Sequence, residues 1–136
     1  MAGRACGVTV CVLLAAGTLG GCSTVAERRA GVRDTVAVFE QALGDGAYDR
    51  GCAVLAPGTA EELEQSADSP CAQALREESL RPGGAVRRTD VYGNQARAVL
   101  SADTLFLSHF ATGWKVVAAG CEPRPRQPYQ CRIKGG

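Results

Sequence analysis

At 136 residues the chain has room for one compact domain and not two. Fifteen basic side chains against fourteen acidic ones give a formal charge of +1, which argues against nucleic acid as a main partner and against a strongly charged substrate channel. Seven cysteines and a single histidine point toward disulfide chemistry and away from a histidine-rich metal centre.

The first segment carries one early charge, Arg4, and then a twelve-residue, mostly apolar run from Val8 to Leu19. A short basic start, an apolar stretch of this length and small residues at a cleavage point describe a secretory signal peptide. The run is too short for a transmembrane helix, which needs about 20 predominantly apolar residues, and Thr9, Gly17 and Thr18 interrupt it. Arg28-Arg29 follows the run, so it is not a twin-arginine signal. The run closes on Leu19-Gly20-Gly21-Cys22. That order of aliphatic, small, small and cysteine resembles the bacterial lipoprotein signal. The resemblance implies cleavage before Cys22, lipidation of its thiol, and residence on the extracytoplasmic face of the cell membrane. The expected organisation is therefore a removed signal peptide over 1–21 and one lipid-anchored domain over 22–136. Only Arg4 among the charged residues lies before Cys22, so the expected mature domain is formally neutral.

Cys6 and Cys11 belong to the signal segment and Cys22 to the anchor, leaving Cys52, Cys71, Cys121 and Cys131. An even number in a small exported domain reads as a disulfide framework with three possible connectivities. The locally closed pairs Cys52–Cys71 and Cys121–Cys131 are favoured, since each joins neighbouring predicted elements. No pair has the spacing of two to four residues typical of a zinc site, so no metal is expected.

Val32, Val36, Phe39 and Leu43 form one apolar stripe at helical spacing, predicting a helix from near Thr24–Glu27 to Gly44. A second helix is predicted over about Ala47–Leu55, ended by Pro57-Gly58. Thr59-x-x-Glu62 has the form of a capping box for a short third helix through Gln65. Ser69-Pro70 marks a fourth, with Ser69 as N-cap and Pro70 as first helical residue, running to about Glu78.

After Pro82-Gly83-Gly84 the pattern shifts from period 3.6 to period 2. Strands are predicted over Val86–Tyr92, Gln95–Ser101, Thr104–Ala111 and Trp114–Ala119, separated by two-residue hairpin signals such as Gly93-Asn94 and Thr112-Gly113. A proline-rich turn, Pro123–Pro128, precedes a last short strand, about Tyr129–Ile133. The expected class is α+β, with three to four N-terminal helices packed on one face of a curved antiparallel sheet of four to five strands.

Helices followed by a curved sheet resemble the cone-shaped fold of the nuclear transport factor two-like superfamily. The strand Trp114-Lys115-Val116-Val117-Ala118-Ala119-Gly120-Cys121 and the closing Pro128-Tyr129-Gln130-Cys131 are similar to the ends of small exported lipoproteins of actinomycetes. The first resemblance implies a cone whose interior, in the enzymes that share it, holds acid–base residues. The one candidate here is His109, which alternates with Leu105 and Leu107 and would share their face. A lone histidine on an apolar face is commonly a packed residue. Tyr48, Tyr92 and Tyr129 fall in unrelated elements, so the tyrosine of the steroid isomerases has no counterpart. Ser101 and Ser108 lack a nucleophile elbow, and no phosphate-cradling glycine loop follows a strand.

Glu61, Glu62 and Glu64 read as a solvated helix face, and Trp114 as a core plug. Arg28, Arg29 and Arg33 lie close to the expected anchor and suit an anionic leaflet, with Glu27 and Asp34 offsetting part of their charge. Arg124, Arg126, Arg132 and Lys134 form a basic group near the other terminus that reads as a solvated tail, with an acidic protein partner as the sharper alternative. The expectation is a membrane-anchored, non-catalytic binding or accessory module of the cell envelope. It needs no cofactor and takes an envelope protein or a small apolar ligand as partner; the alternative is a small enzyme using His109 as acid or base.

Overall fold

The computed structural model describes Gly3 and residues 23–135; the signal segment and the lipidation candidate Cys22 lie outside the described residues. Four helices, α1 (Val25–Asp45), α2 (Tyr48–Val54), α3 (Pro57–Ala67) and α4 (Cys71–Glu77), precede five strands. The strands are β1 (Val86–Tyr92), β2 (Gln95–Leu100), β3 (Thr104–Phe110), β4 (Gly113–Arg124) and β5 (Gln127–Lys134). They form one antiparallel sheet in the order β1-β2-β3-β4-β5, with the helices packed on one face. The chain is an α+β domain.

α1 starts at a true capping box: the Thr24 hydroxyl accepts from the Glu27 amide at 3.2 Å, and the Glu27 carboxylate accepts from the Thr24 amide at 2.5 Å. Val32, Val36, Phe39 and Leu43 are buried along one stripe, and Gly46 in the left-handed conformation closes the helix. Each large side chain buried this way contributes about 1.5–3 kcal/mol. The stripe meets Ala96, Ala98 and Leu100 of β2, Leu105 and Leu107 of β3, and Trp114 and Val116 of β4, with Leu63 and Leu75 sealing the flank.

Two helix starts differ from expectation. α3 opens at Pro57, so Thr59 lies inside it, is buried, and donates its hydroxyl to the Val117 carbonyl at 3.1 Å. Thr59 therefore makes a helix-to-sheet contact and not a cap. α4 begins at Cys71, after Pro70, and Ser69 makes no cap. The Glu64 carboxylate, from α3, accepts from the Cys71 amide at 3.0 Å instead, supplying the acceptor from a neighbouring helix.

β4 is also longer than expected. It runs through Pro123 to Arg124, and β5 begins at Gln127, so the hairpin turn is only Pro125-Arg126. Proline is tolerated there because beyond Cys121 β4 pairs with β5 alone, outside the body of the sheet. Two irregularities bend β4. Phe106 pairs with Ala118 and Leu107 with Val116, which leaves Val117 as a bulge in the β3–β4 ladder. The edge that β5 does not reach is covered: the Val116 carbonyl accepts from Ala56 at 2.8 Å, and that of Val117 accepts from Gly135 at 2.9 Å. Further on, Gly120 takes φ +65° where Leu80 and Arg132 crowd it.

Disulfides join Cys52 to Cys71 and Cys121 to Cys131. The first ties α2 to α4; the second crosses between directly opposed positions of β4 and β5.

Candidate functional site

Period-2 alternation along β3 puts Leu105, Leu107 and His109 on the helix side of the sheet. Leu105 and Leu107 are buried, but His109, near the end of β3 at the side of the sheet where α1 begins, is exposed. It lines none of the described concavities. Its ring stands edge-on to Trp114 across the β3–β4 pair, with centroids 5.0 Å apart. No hydrogen bond reaches either ring nitrogen from a described residue, so no carboxylate orients it as an acid–base pair requires.

The space between the helices and the sheet is filled. Phe39, Val32, Val36, Leu75, Leu105, Leu107 and Val116 are at most 1 % exposed and interlock across it. The concavities lie on the outside. One of about 350 Å³, lined by Leu80, Arg81, Asp103, Gly120 and Arg132 among others, sits at the end of the sheet where β2 turns into β3. Asp103 is occupied structurally: its carboxylate accepts from the amides of Thr104, Gly120 and Cys121 at 2.6, 3.0 and 2.8 Å.

The helix-free face carries a polar stripe that sequence spacing did not single out. Asp90 of β1 pairs with Arg97 of β2, and Arg97 with Phe106 of β3. The Arg97 guanidinium approaches Asp90 to 2.7 Å and holds its carboxyl below the usual carboxylate range; burial opposes this and Arg88 assists. Tyr129 comes over from β5, placing its ring 5.1 Å from Phe106 and its hydroxyl 3.5 Å from Arg97. A shallow groove of about 200 Å³ runs here between Tyr92, Gln95, Arg97 and Phe106. The in-register opposite charges at 90 and 97 were a sequence signal, but Tyr129 arrives through the curl of the β4–β5 hairpin, which no local pattern encodes.

The remaining candidates fall into place without forming a centre. Glu61, Glu62 and Glu64 lie on an exposed face of α3, and Glu64 caps α4. Trp114 is buried, with the Arg28 guanidinium over its ring. Arg124, Arg126, Arg132 and Lys134 are exposed, and Arg132 reaches Glu78 at 3.7 Å. Among the described residues no group of three or more His, Cys, Asp or Glu side chains is placed to hold a metal ion, and no helix is long and apolar enough to cross a membrane.

The chain matches no protein-family profile, no curated protein and no solved structure.

Proposed function

We propose that this chain is a lipid-anchored, extracytoplasmic protein of the cell envelope that acts as a non-catalytic binding or accessory module. The observation that carries the non-catalytic half is the filled interior, with His109 exposed at the rim and given no orienting partner among the described residues. Recognition is left to outer surfaces. The groove beside Arg97 and Phe106 suits a small, partly apolar ligand, and the basic β4–β5 hairpin suits an acidic partner. The anchored half rests on Leu19-Gly20-Gly21-Cys22 and on two disulfides, which are at home in an oxidising, exported setting. Helices first and a curled sheet afterwards support kinship with the nuclear transport factor two-like proteins.

Fractionation of cells expressing Cys22→Ser tests the anchor. The variant moves from the membrane to soluble or unprocessed fractions; unchanged fractionation refutes anchoring through Cys22. Capture of the lipidated protein from envelope extracts, with mass spectrometry of co-purifying proteins and small molecules, tests the binding role. Recovery of neither counts against it.

A further inference from the structure

Among the described residues, the exposed large apolar side chains gather at one end of the domain, the end where α1 begins. Val25 in the first turn of α1 is 59 % exposed, Tyr92 at the close of β1 67 %, and Phe110 at the close of β3 38 %. Contacts make this end a single surface. Arg28 donates to the Gly93 carbonyl and to Asn94 Oδ1, joining α1 to the β1–β2 turn. The His109 amide donates to the Asn94 carbonyl at 2.8 Å, and Phe110 pairs with Gly113 across the β3–β4 turn. Two arginines, Arg29 exposed and Arg28 half-buried, outnumber the one acid of the first turn, Glu27, which is engaged in the capping box.

We propose that this end of the domain is a membrane-docking surface, seated in the headgroup region of an anionic bilayer. The proposal rests on the reading of Cys22 as the lipid anchor and adds an orientation to it. Only Ser23 and Thr24 separate Cys22 from Val25, a reach of about 10 Å at full extension. A lipid on Cys22 therefore holds this end, and no other, within touching distance of the bilayer. The chemistry matches that position. Tyrosine favours the membrane–water interface, Val25 and Phe110 supply apolar contact, and each arginine near an anionic leaflet adds attraction that salt screens. The basic β4–β5 turn then lies at the far end of β4 from the anchor, open to a partner, whereas the helix-free groove, which Tyr92 lines, borders the docked end.

The single tryptophan, Trp114, lies at this end and reports on it. The lipidated chain is reconstituted into phosphatidylcholine vesicles containing phosphatidylglycerol and a headgroup-attached fluorescence quencher. Flotation reads the anchor, and quenching of Trp114 reads the docking. Wild type floats and is quenched. Tyr92→Ser/Phe110→Ser/Arg29→Ser, three exposed positions, floats equally but loses most of the quenching, while Arg124→Ser/Arg126→Ser on the hairpin keeps it. Flotation without quenching, or quenching equal in wild type and the triple variant, overturns the docking and leaves the anchor standing. Failure to float removes the anchor and the docking with it. A detergent-solubilised dimer that the triple variant dissolves assigns the surface to a second copy and likewise overturns it.

Discussion

The guanidinium of Arg28 lies 5.3 Å from the centre of the Trp114 ring, which it covers while also bonding the β1–β2 turn at Gly93 and Asn94. One side chain from the first turns of α1 thus closes the open end of the core and pins a hairpin that is 65 residues away in sequence. Below it, Thr35 Oγ1 donates to the Trp114 carbonyl at 3.3 Å, so helix and strand are joined at two levels.

Replacing Arg28 by alanine removes a cation–π contact worth about 0.5–1 kcal/mol at a partly exposed site and a hydrogen bond of similar net worth. The expected loss is about 1–2 kcal/mol, read by urea unfolding followed through Trp114 fluorescence. Arg28→Lys keeps the charge but not the planar fork, so it recovers only part of the loss. An Arg28→Ala curve that overlays wild type refutes the role.

Glu40 of α1 accepts from the Gly83 amide, while its other oxygen is buried without a partner among the described residues. Burial pushes its carboxyl above the ordinary value of 4.5; the Gly83 amide opposes this, the Asp103 charge adds to it and the Gly84 amide again opposes. A group whose pKa is raised in the folded state favours the fold fully below its unfolded value, and that contribution is lost as pH rises through the folded value. Glu40→Gln cannot ionise and keeps an oxygen for the Gly83 amide. The stability of wild type relative to this variant should therefore fall as pH rises from 4.5, read as the difference between thermal unfolding curves. A difference that is flat with pH shows that Glu40 titrates as it would in the unfolded chain.

The parts of the fold governed by local periodicity were legible in the sequence. The stripe Val32, Val36, Phe39 and Leu43 is the buried face of α1, and β1 to β3 fall within a residue of the segments that alternation marks. What was not legible depends on partners distant in sequence. Thr59 resembles a cap until the Val117 carbonyl, 58 residues away, is placed beside it. Pro123 and Pro128 read as turn residues because proline disrupts a central strand, whereas here they lie in a hairpin beyond the sheet. His109 followed the face of Leu105 and Leu107 correctly, but alternation assigns a face and not a depth. His109 is exposed near the end of β3, a depth that the alternation does not encode.

The Cys52–Cys71 bridge joins α2 to α4, two helices of 7 residues each that are too short to hold themselves. Closing a loop of 19 residues restricts the unfolded chain by about 3 kcal/mol in the chain-entropy account. Cys52→Ser/Cys71→Ser should lose about that much in denaturant unfolding. Peptide mapping of the exported wild type should show 52 linked to 71 and 121 to 131, with no free thiol at these positions; a 52–121 link contradicts the pairing.

Gly120 and Gly93 both adopt left-handed backbone, at φ +65° and +55°, but their surroundings differ. A Cβ on Gly93 meets nothing within 4 Å, whereas one on Gly120 would stand 2.8 Å from Leu80 Cδ2 and 3.1 Å from Arg132 Cβ. Alanine at either site bears the cost of the left-handed conformation, about 1–2 kcal/mol. At Gly120 it also forces Leu80 and the adjacent strand apart, where Asp103 holds the Gly120 and Cys121 amides. Gly120→Ala should therefore be the more destabilising by about 1 kcal/mol or more, the scale of overpacking in a close-fitting site, as read by paired urea titrations. Equal losses at the two positions indicate that β4 bends at Gly120 with room to spare.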